Sequence, residues 1–242
     1  MLPFFYVLNS CTIMDLEVKE KLVDFLGEFV TPKRRDLIDR NVVQRTRYVT
    51  LALENIFQPH NASAVLRSAD CFGIQDVHVI ENSNRYNVNP DVVMGASKWV
   101  DLHRYNKKQD NTPDAIQHLK DQGYRIVATT PHSQDVSLEE FDLSPGKAAF
   151  FFGTELTGLS DVMMEQADEF VKIPMYGFTE SFNISVSAAL IMHHLTTALR
   201  SSDLDWRLSR EEQVELKLQW LVKSARNGEK LMEHFLRNFE KK

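Results

Sequence analysis

The chain has 242 residues, 43% of them hydrophobic and 26% charged, enough apolar material for one sizeable core with appendages. Its 28 basic and 34 acidic residues leave a formal net charge of −6, the wrong sign for a protein that coats nucleic acid without selectivity. Cys11 and Cys71 stand too far apart for a zinc-ligand or CxxC redox pattern, and no two of the nine glycines are spaced as GxG, which excludes both the dinucleotide fingerprint and the kinase-type glycine loop.

The first fourteen residues, MLPFFYVLNSCTIM, are apolar but have no basic leading segment and no long apolar core. They are expected to be neither a secretory signal nor a membrane span, and a start at Met14 is an alternative to Met1. Residues 15–30 carry Leu16, Leu22, Val23, Phe25, Leu26 and Phe29 near helical spacing, which predicts an amphipathic helix. Thr31 and Pro32 then open a second helix, an N-cap with proline at its first position. Six basic residues against Asp36 and Asp39 lie between Thr31 and Arg47, so this stretch reads as a solvated face or as an arm that contacts phosphate.

Residues 48–56 alternate like a strand. Asn61 is placed to cap a helix that runs through Val65 and Leu66 to Phe72, with Gly73 as its left-handed stop, and residues 77–80 form the next strand. The same grammar recurs: a helix from Thr112 and Pro113 to Gly123, a strand over 124–129, an apolar strand over 148–152, a helix over 160–167, a strand over 170–174 and a long apolar helix over 182–200. Strands alternating with helices imply a parallel α/β sheet flanked by helices. Beyond Arg200 the chain turns charged and helical. A capping box at Ser209 and Glu212 precedes an apolar face of Val214, Leu218, Leu221 and Val222, and from Arg200 to Lys242 there are ten basic against eight acidic residues. The expected organisation is thus a helical, partly basic extension over 1–47, an α/β domain over 48–200 and a helical extension over 201–242.

Three stretches gather polar and small residues at the ends of predicted strands, where α/β proteins place ligand sites. In the first, Asn61 and Arg67 either cap a helix and dress its surface or face an anion together. In the second, FFGTELTGLS, Gly153 and Gly158 bracket Glu155 and allow a sharp turn or a close backbone approach. In the third, IPMYGFTESFNISVSAAL, the residues Ser181, Asn183, Ser185 and Ser187 alternate with apolar ones at the mouth of an apolar helix and need polar partners. His193 and His194 lie inside that helix without a carboxylate at metal spacing, which favours packing, and Ser181 has no setting of a hydrolase nucleophile.

Taken in order, LENIFQPHNASAVLRSADCFGI, FFGTELTGLS and IPMYGFTESFNISVSAAL resemble the three signature motifs of the SpoU/TrmH family of knotted methyltransferases, together with the intervening GASKWV. The resemblance implies a parallel α/β domain whose C-terminal segment makes a deep trefoil knot, a rare exception to unknotted topology. It implies a pocket for S-adenosylmethionine formed by the loops at Thr129, Gly153, Ile173 and Phe182, and a homodimer with the site at its interface. The implied reaction is methyl transfer to a ribose 2′-hydroxyl of RNA, with no metal. Arg67 would clamp a phosphate and stabilise the developing alkoxide, Asn61 and Asn183 would order the site, Ser181 would assist positioning, and Glu155 would fix the second loop.

Phe182 and Glu180 depart from the family's usual Leu and Gln and bear on the substrate. The short arm, with Lys33, Arg34 and Arg35 as candidate RNA contacts, and the helical tail are similar to the members that methylate guanosine 18 of the tRNA D-loop, and the two distant cysteines fit a reduced cytoplasmic setting. An rRNA or another tRNA position as target, or a knotted dimer that binds RNA without catalysis, are the alternatives.

Overall fold

The computed structural model describes residues 14–87, 89–131 and 135–239. Of the two candidate starts, Met14 falls within the described residues, while Met1 lies outside them, as does Cys11. The chain divides into two compact units, one of the described residues up to Arg45 together with those from Arg207 onward, the other Thr46–Trp206.

Among the described residues the second unit is built on seven strands: β1 (Val49–Glu54), β2 (Asp76–Ile80), β3 (Asp101–Tyr105), β4 (Arg125–Thr129), β5 (Val136–Ser137), β6 (Ala148–Phe152) and β7 (Glu169–Lys172). They form one sheet in the order β3-β2-β1-β6-β4-β7-β5, and every strand pair in it is parallel. Parallel strands need crossovers on both faces, so central strands are buried on both sides and read as unbroken apolar runs. β6 is the clearest case: Phe150 and Phe152 enter the core on one face while Phe151 enters the core on the other.

On one face α3 (Pro59–Phe72) packs beside α7 (Ile184–Ser201), burying Val65, Leu66, Ala188, Ile191 and Leu195 against Leu51, Leu53 and Phe150. On the other, α5 (Thr112–Asp121) and α6 (Asp161–Gln166) cover Ala52, Ile126 and Phe151 with Ile116, Leu119 and Met163. The short α4 (Pro90–Val93) lies against α3. β7 sits between β4 and β5 although it follows both in the chain.

The other unit holds α1 (Leu16–Gly27), α2 (Pro32–Val42), α8 (Arg210–Ser224) and α9 (Gly228–Phe239). The two terminal segments, distant in sequence, pack on each other around Leu22, Leu26, Ile38, Leu218 and Trp220. Lys19 is buried in this unit with its Nζ 2.5 Å from Glu215, and Lys217 pairs with Asp39 at 2.6 Å. The predicted capping box closes, with Ser209 Oγ accepting from Glu212 N and Glu212 returning the bond.

Two local expectations change. Asn61 is not a cap: proline at the first turn moves the start of α3 back to Pro59, with Gln58 at the cap, and Asn61 lies inside the first turn with its side chain turned to other partners. β3 has no counterpart among the predicted strands, because its polar run DLHRY forms the edge of the sheet and is only partly covered. Gly73, at φ 79°, is the left-handed stop expected of it.

Candidate active site

All three motifs converge at the carboxyl ends of neighbouring strands. The sheet changes direction between β1, from which the chain runs outward to β2 and β3, and β6, and in an open α/β sheet this is where a crevice forms. The first motif leaves β1 at Glu54, the second leaves β6 at Gly153, and the third leaves β7 at Ile173, beside the end of β4 at Thr129.

The residues that join the motifs form a triangle. Asn61 Nδ2 donates to Glu155 Oε1 at 3.0 Å, Asn183 Nδ2 donates to the same oxygen at 2.8 Å, and Asn183 Nδ2 also reaches Asn61 Oδ1 at 3.1 Å. Asn183 Oδ1 meanwhile accepts from Ser185 N at 2.9 Å and Ser185 Oγ at 2.6 Å, which makes it the N-cap of α7. One asparagine therefore both starts a helix and points its amide at the second motif. Asn61 is buried, so its bonds to Glu155 and to Gln58 Oε1 replace the water it gave up.

The second motif makes a tight hairpin: Thr154 N donates to Gly158 O and Gly158 N returns to Thr154 O, at 2.9 and 3.0 Å. A Cβ on Gly153 would stand 2.1 Å from the carbonyl carbon and oxygen of Gly158, and Gly158 itself has φ +68°. Both glycines are needed for the chain to fold back this closely.

Beside the hairpin opens a cavity of about 410 Å³. Thr129, Gly153, Ile173 and Phe182, the four residues expected to bind cofactor, all line it, as do Glu155 and Ser181. Val171, Ile184 and Ile191 supply apolar wall, while Glu155 and Glu180 bring carboxylates to it. Thr129 Oγ1 is held by the carbonyl of Phe151 at 2.7 Å. This volume, with apolar walls and a few polar groups, suits a nucleoside-sized ligand, and the carboxylates suit one that carries positive charge.

Arg67 is not drawn into the triangle. It lies on the exposed side of α3 and makes no hydrogen bond or ion pair among the described residues, so its guanidinium stands ready for an outside anion. Of the three candidate RNA contacts, all in the first turn of α2, Lys33 and Arg34 are exposed. Arg35 is half-buried and bonded to Asp24 at 2.9 Å, so one of its donors is already spent.

His193 is exposed on α7, edge-on to Phe72, and among the described residues no group of three or more metal-ligating side chains comes together. No helix of the described residues is long and apolar enough to cross a membrane. Sequence reasoning missed Glu54, a buried acid closing an otherwise uncharged strand, and the signal was that position itself.

Residues 48–193 match the model of the SpoU rRNA Methylase family. The chain is 43% identical over 207 residues to a tRNA (guanosine(18)-2′-O)-methyltransferase of Borreliella burgdorferi, covering 86% of this chain and 93% of that one. Among solved structures it resembles the TrmH/SpoU tRNA modifying enzyme of A. aeolicus, with a TM-score of 0.68 and 26% identity over 79% of this chain and 96% of that one. It shares its fold with the SpoU methyltransferase AviRb of Streptomyces viridochromogenes, solved in complex with AdoMet, at a TM-score of 0.56 and 22% identity, covering 68% of this chain and 65% of that one.

Proposed function

Because the chain belongs to the SpoU methylase family, with the parallel α/β core of members that carry the trefoil knot, we propose that it methylates a ribose 2′-hydroxyl of tRNA from S-adenosylmethionine, at guanosine 18. The observation that carries this reading is the Asn61–Glu155–Asn183 triangle, which locks all three family motifs together at the edge of a cavity of fitting size and charge. The Borreliella burgdorferi relative, matched over nearly its whole length, bears the guanosine 18 activity in its name, and that supports the choice of nucleotide.

Thr129, Gly153, Ile173 and Phe182 would hold the cofactor, with backbone groups exposed by the tight hairpin taking the adenosyl part. Bound there, S-adenosylmethionine supplies a methyl group on a sulfonium that is already a good leaving group, so the reaction asks for no divalent ion. Arg67 would grip the phosphate next to the acceptor ribose and stabilise negative charge that builds on the 2′-oxygen. A guanidinium stays protonated in proteins, so clamping rather than proton abstraction is its role. Asn61 and Asn183 keep Glu155 and the second motif in place, and Ser181 at the cavity wall assists in positioning the nucleotide.

The terminal helical unit would supply RNA contacts through Lys33 and Arg34, with Arg35 in a smaller part. Arg67 lies outside the triangle of its own chain, which fits a site completed by a second copy. Val186 and Leu190, one turn apart on α7, are 44% and 41% exposed and form the apolar stripe through which the homodimer would assemble. Acting on tRNA, the enzyme works in the cytoplasm.

The test is to incubate the protein with labelled S-adenosylmethionine and separate tRNA and rRNA pools, and to map the modified ribose. Label at guanosine 18 of tRNA is expected. Label on rRNA or at another tRNA position would move the substrate assignment, and cofactor binding without transfer to any RNA would favour a non-catalytic knotted RNA-binding dimer.

A further inference from the structure

Glu54 ends the central strand β1 only 2% exposed, and it has no cationic partner among the described residues. Its carboxylate instead collects three donors. Oε1 accepts from Thr112 Oγ1 at 2.5 Å and from Ser160 Oγ at 2.7 Å, while Oε2 accepts from Ser160 N at 2.8 Å. Ser160 closes the second motif and, through the same Oγ, caps α6 by accepting from Met163 N.

The hairpin that lines the cofactor cavity is thus tied at its base to the sheet through one side chain. Its tip is held elsewhere, by Glu155 in the triangle. We propose that Glu54 is a positioning residue which sets the 153–160 loop, and through it the shape of the cofactor cavity. The identity of the ligand rests on the methyltransferase reading above; the tie between Glu54 and the loop does not.

The chemistry explains why this position is an acid rather than an amide. A glutamine offers one acceptor oxygen and one NH₂. With its oxygen at the Oε1 place, the NH₂ would face the Ser160 N–H, a donor against a donor. Turned over, the NH₂ would face two hydroxyls that now donate to Oε1; each already accepts one bond, Thr112 Oγ1 from Asn82 Nδ2 at 2.9 Å and Ser160 Oγ from Met163 N, and each could accept a second only by swinging its own O–H away from the acceptor it had lost. Neither orientation keeps all three bonds, and an unmet buried donor is expensive.

The experiment uses the full chain and the variant Glu54→Gln, with three readouts. In calorimetry, S-adenosylmethionine should bind about tenfold more weakly, the effect of removing one charge-assisted bond. In steady state KM for the cofactor should rise by the same factor while kcat at saturation stays within about threefold, because the reacting groups are untouched. In hydrogen exchange without cofactor, the amides of residues 153–160 should exchange at least about tenfold faster, while those of β2 and β3 do not change.

Folded Glu54→Gln protein with normal affinity and normal loop exchange would overturn the proposal, whatever its melting temperature. If that variant does not fold, Thr112→Val removes one donor without touching the loop and should show the same changes at about threefold; normal affinity and exchange there would overturn it equally. Wild-type protein that binds no S-adenosylmethionine would instead sink the methyltransferase reading, and the exchange measurement would still decide the role of Glu54.

Discussion

Arg67 and Asn183 serve the same proposed reaction and answer to different measurements. Arg67 makes no internal bond among the described residues, so Arg67→Ala should leave the melting temperature and the cofactor affinity alone while cutting single-turnover methyl transfer about 10²-fold or more, the usual effect of losing one preorganised donor. Arg67→Lys should rescue little, because an ammonium keeps the charge without the planar two-pronged contact. Transfer near the normal rate by folded Arg67→Ala would remove the clamp from the mechanism. Asn183 is embedded: its Oδ1 caps α7 while its Nδ2 holds Glu155. Asn183→Ala should therefore lose about 1 kcal/mol of stability from the cap alone as well as activity, and a thermal melt beside the assay separates the two. The resemblance to the three family motifs made Asn61, Glu155 and Asn183 legible as a group, whereas spacing alone left Asn61 as a helix cap or an anion contact and Glu155 as part of a tight turn. Neither revealed that the three are one another's partners, since hydrogen bonds across 122 and 94 residues have no signature along the chain. Glu54 is one letter in a strand, and only its three donors show what it does.

At the scale of elements, the second-motif hairpin is defined by close backbone approach, and Gly153→Ala tests it directly. A methyl group 2.1 Å from the Gly158 carbonyl forces the hairpin open, so cofactor binding in calorimetry should fall by at least about tenfold while the sheet, read by far-ultraviolet dichroism, survives. The edge of the sheet carries a different kind of dependence. His78 on β2 stacks on His103 of β3, with ring centroids 4.6 Å apart. Burial, helped by the charge of His103, pushes His78 down to about 3. The unfolded chain protonates this histidine below about pH 6.5 and the folded one does not, so stability should fall as pH drops from there towards 3, by at most about 1.4 kcal/mol per unit. His103 behaves oppositely. Burial works against its charge and is the largest single effect, but the bond to Asp76 at 2.8 Å and the negative charges of Asp76 and Asp101 together outweigh it and raise the pKa, so its contribution is full below about 6.5 and fades as pH rises through the raised value. Melts of His78→Gln from pH 7 to 4 should show a flatter decline than wild type; an equal slope would mean His78 titrates freely. The helices and strands with apolar periodicity and caps were legible in the sequence. β3 and the two-residue β5 were not, because edge strands bury too little to leave a pattern, and the break between α8 and α9 is set by Asn227 at φ 60° rather than by any proline.

The whole molecule carries a net charge of −6 and must still hold a polyanion, which places the burden on local charge. Replacing Lys33 and Arg34 by alanine should weaken tRNA binding and flatten its salt dependence by about one unit of slope for each phosphate no longer engaged, whereas Arg35→Ala should do less because Arg35 is half-buried while the other two are exposed. Unchanged slopes would return the arm to the role of a solvated face. A charge set into the apolar stripe of α7 tests assembly: Leu190→Asp should sediment as a monomer and lose transfer, since burying an unpaired carboxylate at an interface costs several kcal/mol. The order of the strands has a further bearing, on time. β7 lies between β4 and β5, which are joined by residues 130–135 alone, and among the described residues β5 pairs with β7 only, so β5 can join the sheet only once the last strand has docked on β4. Synthesis from the amino end lays down β4 and β5 first and delivers the strand that joins them afterwards, an order that dilution from denaturant does not enforce. Refolding in a test tube should accordingly be far slower than release of active enzyme from the ribosome, and the slow step should respond to changes in β7 before any in β2 or β3.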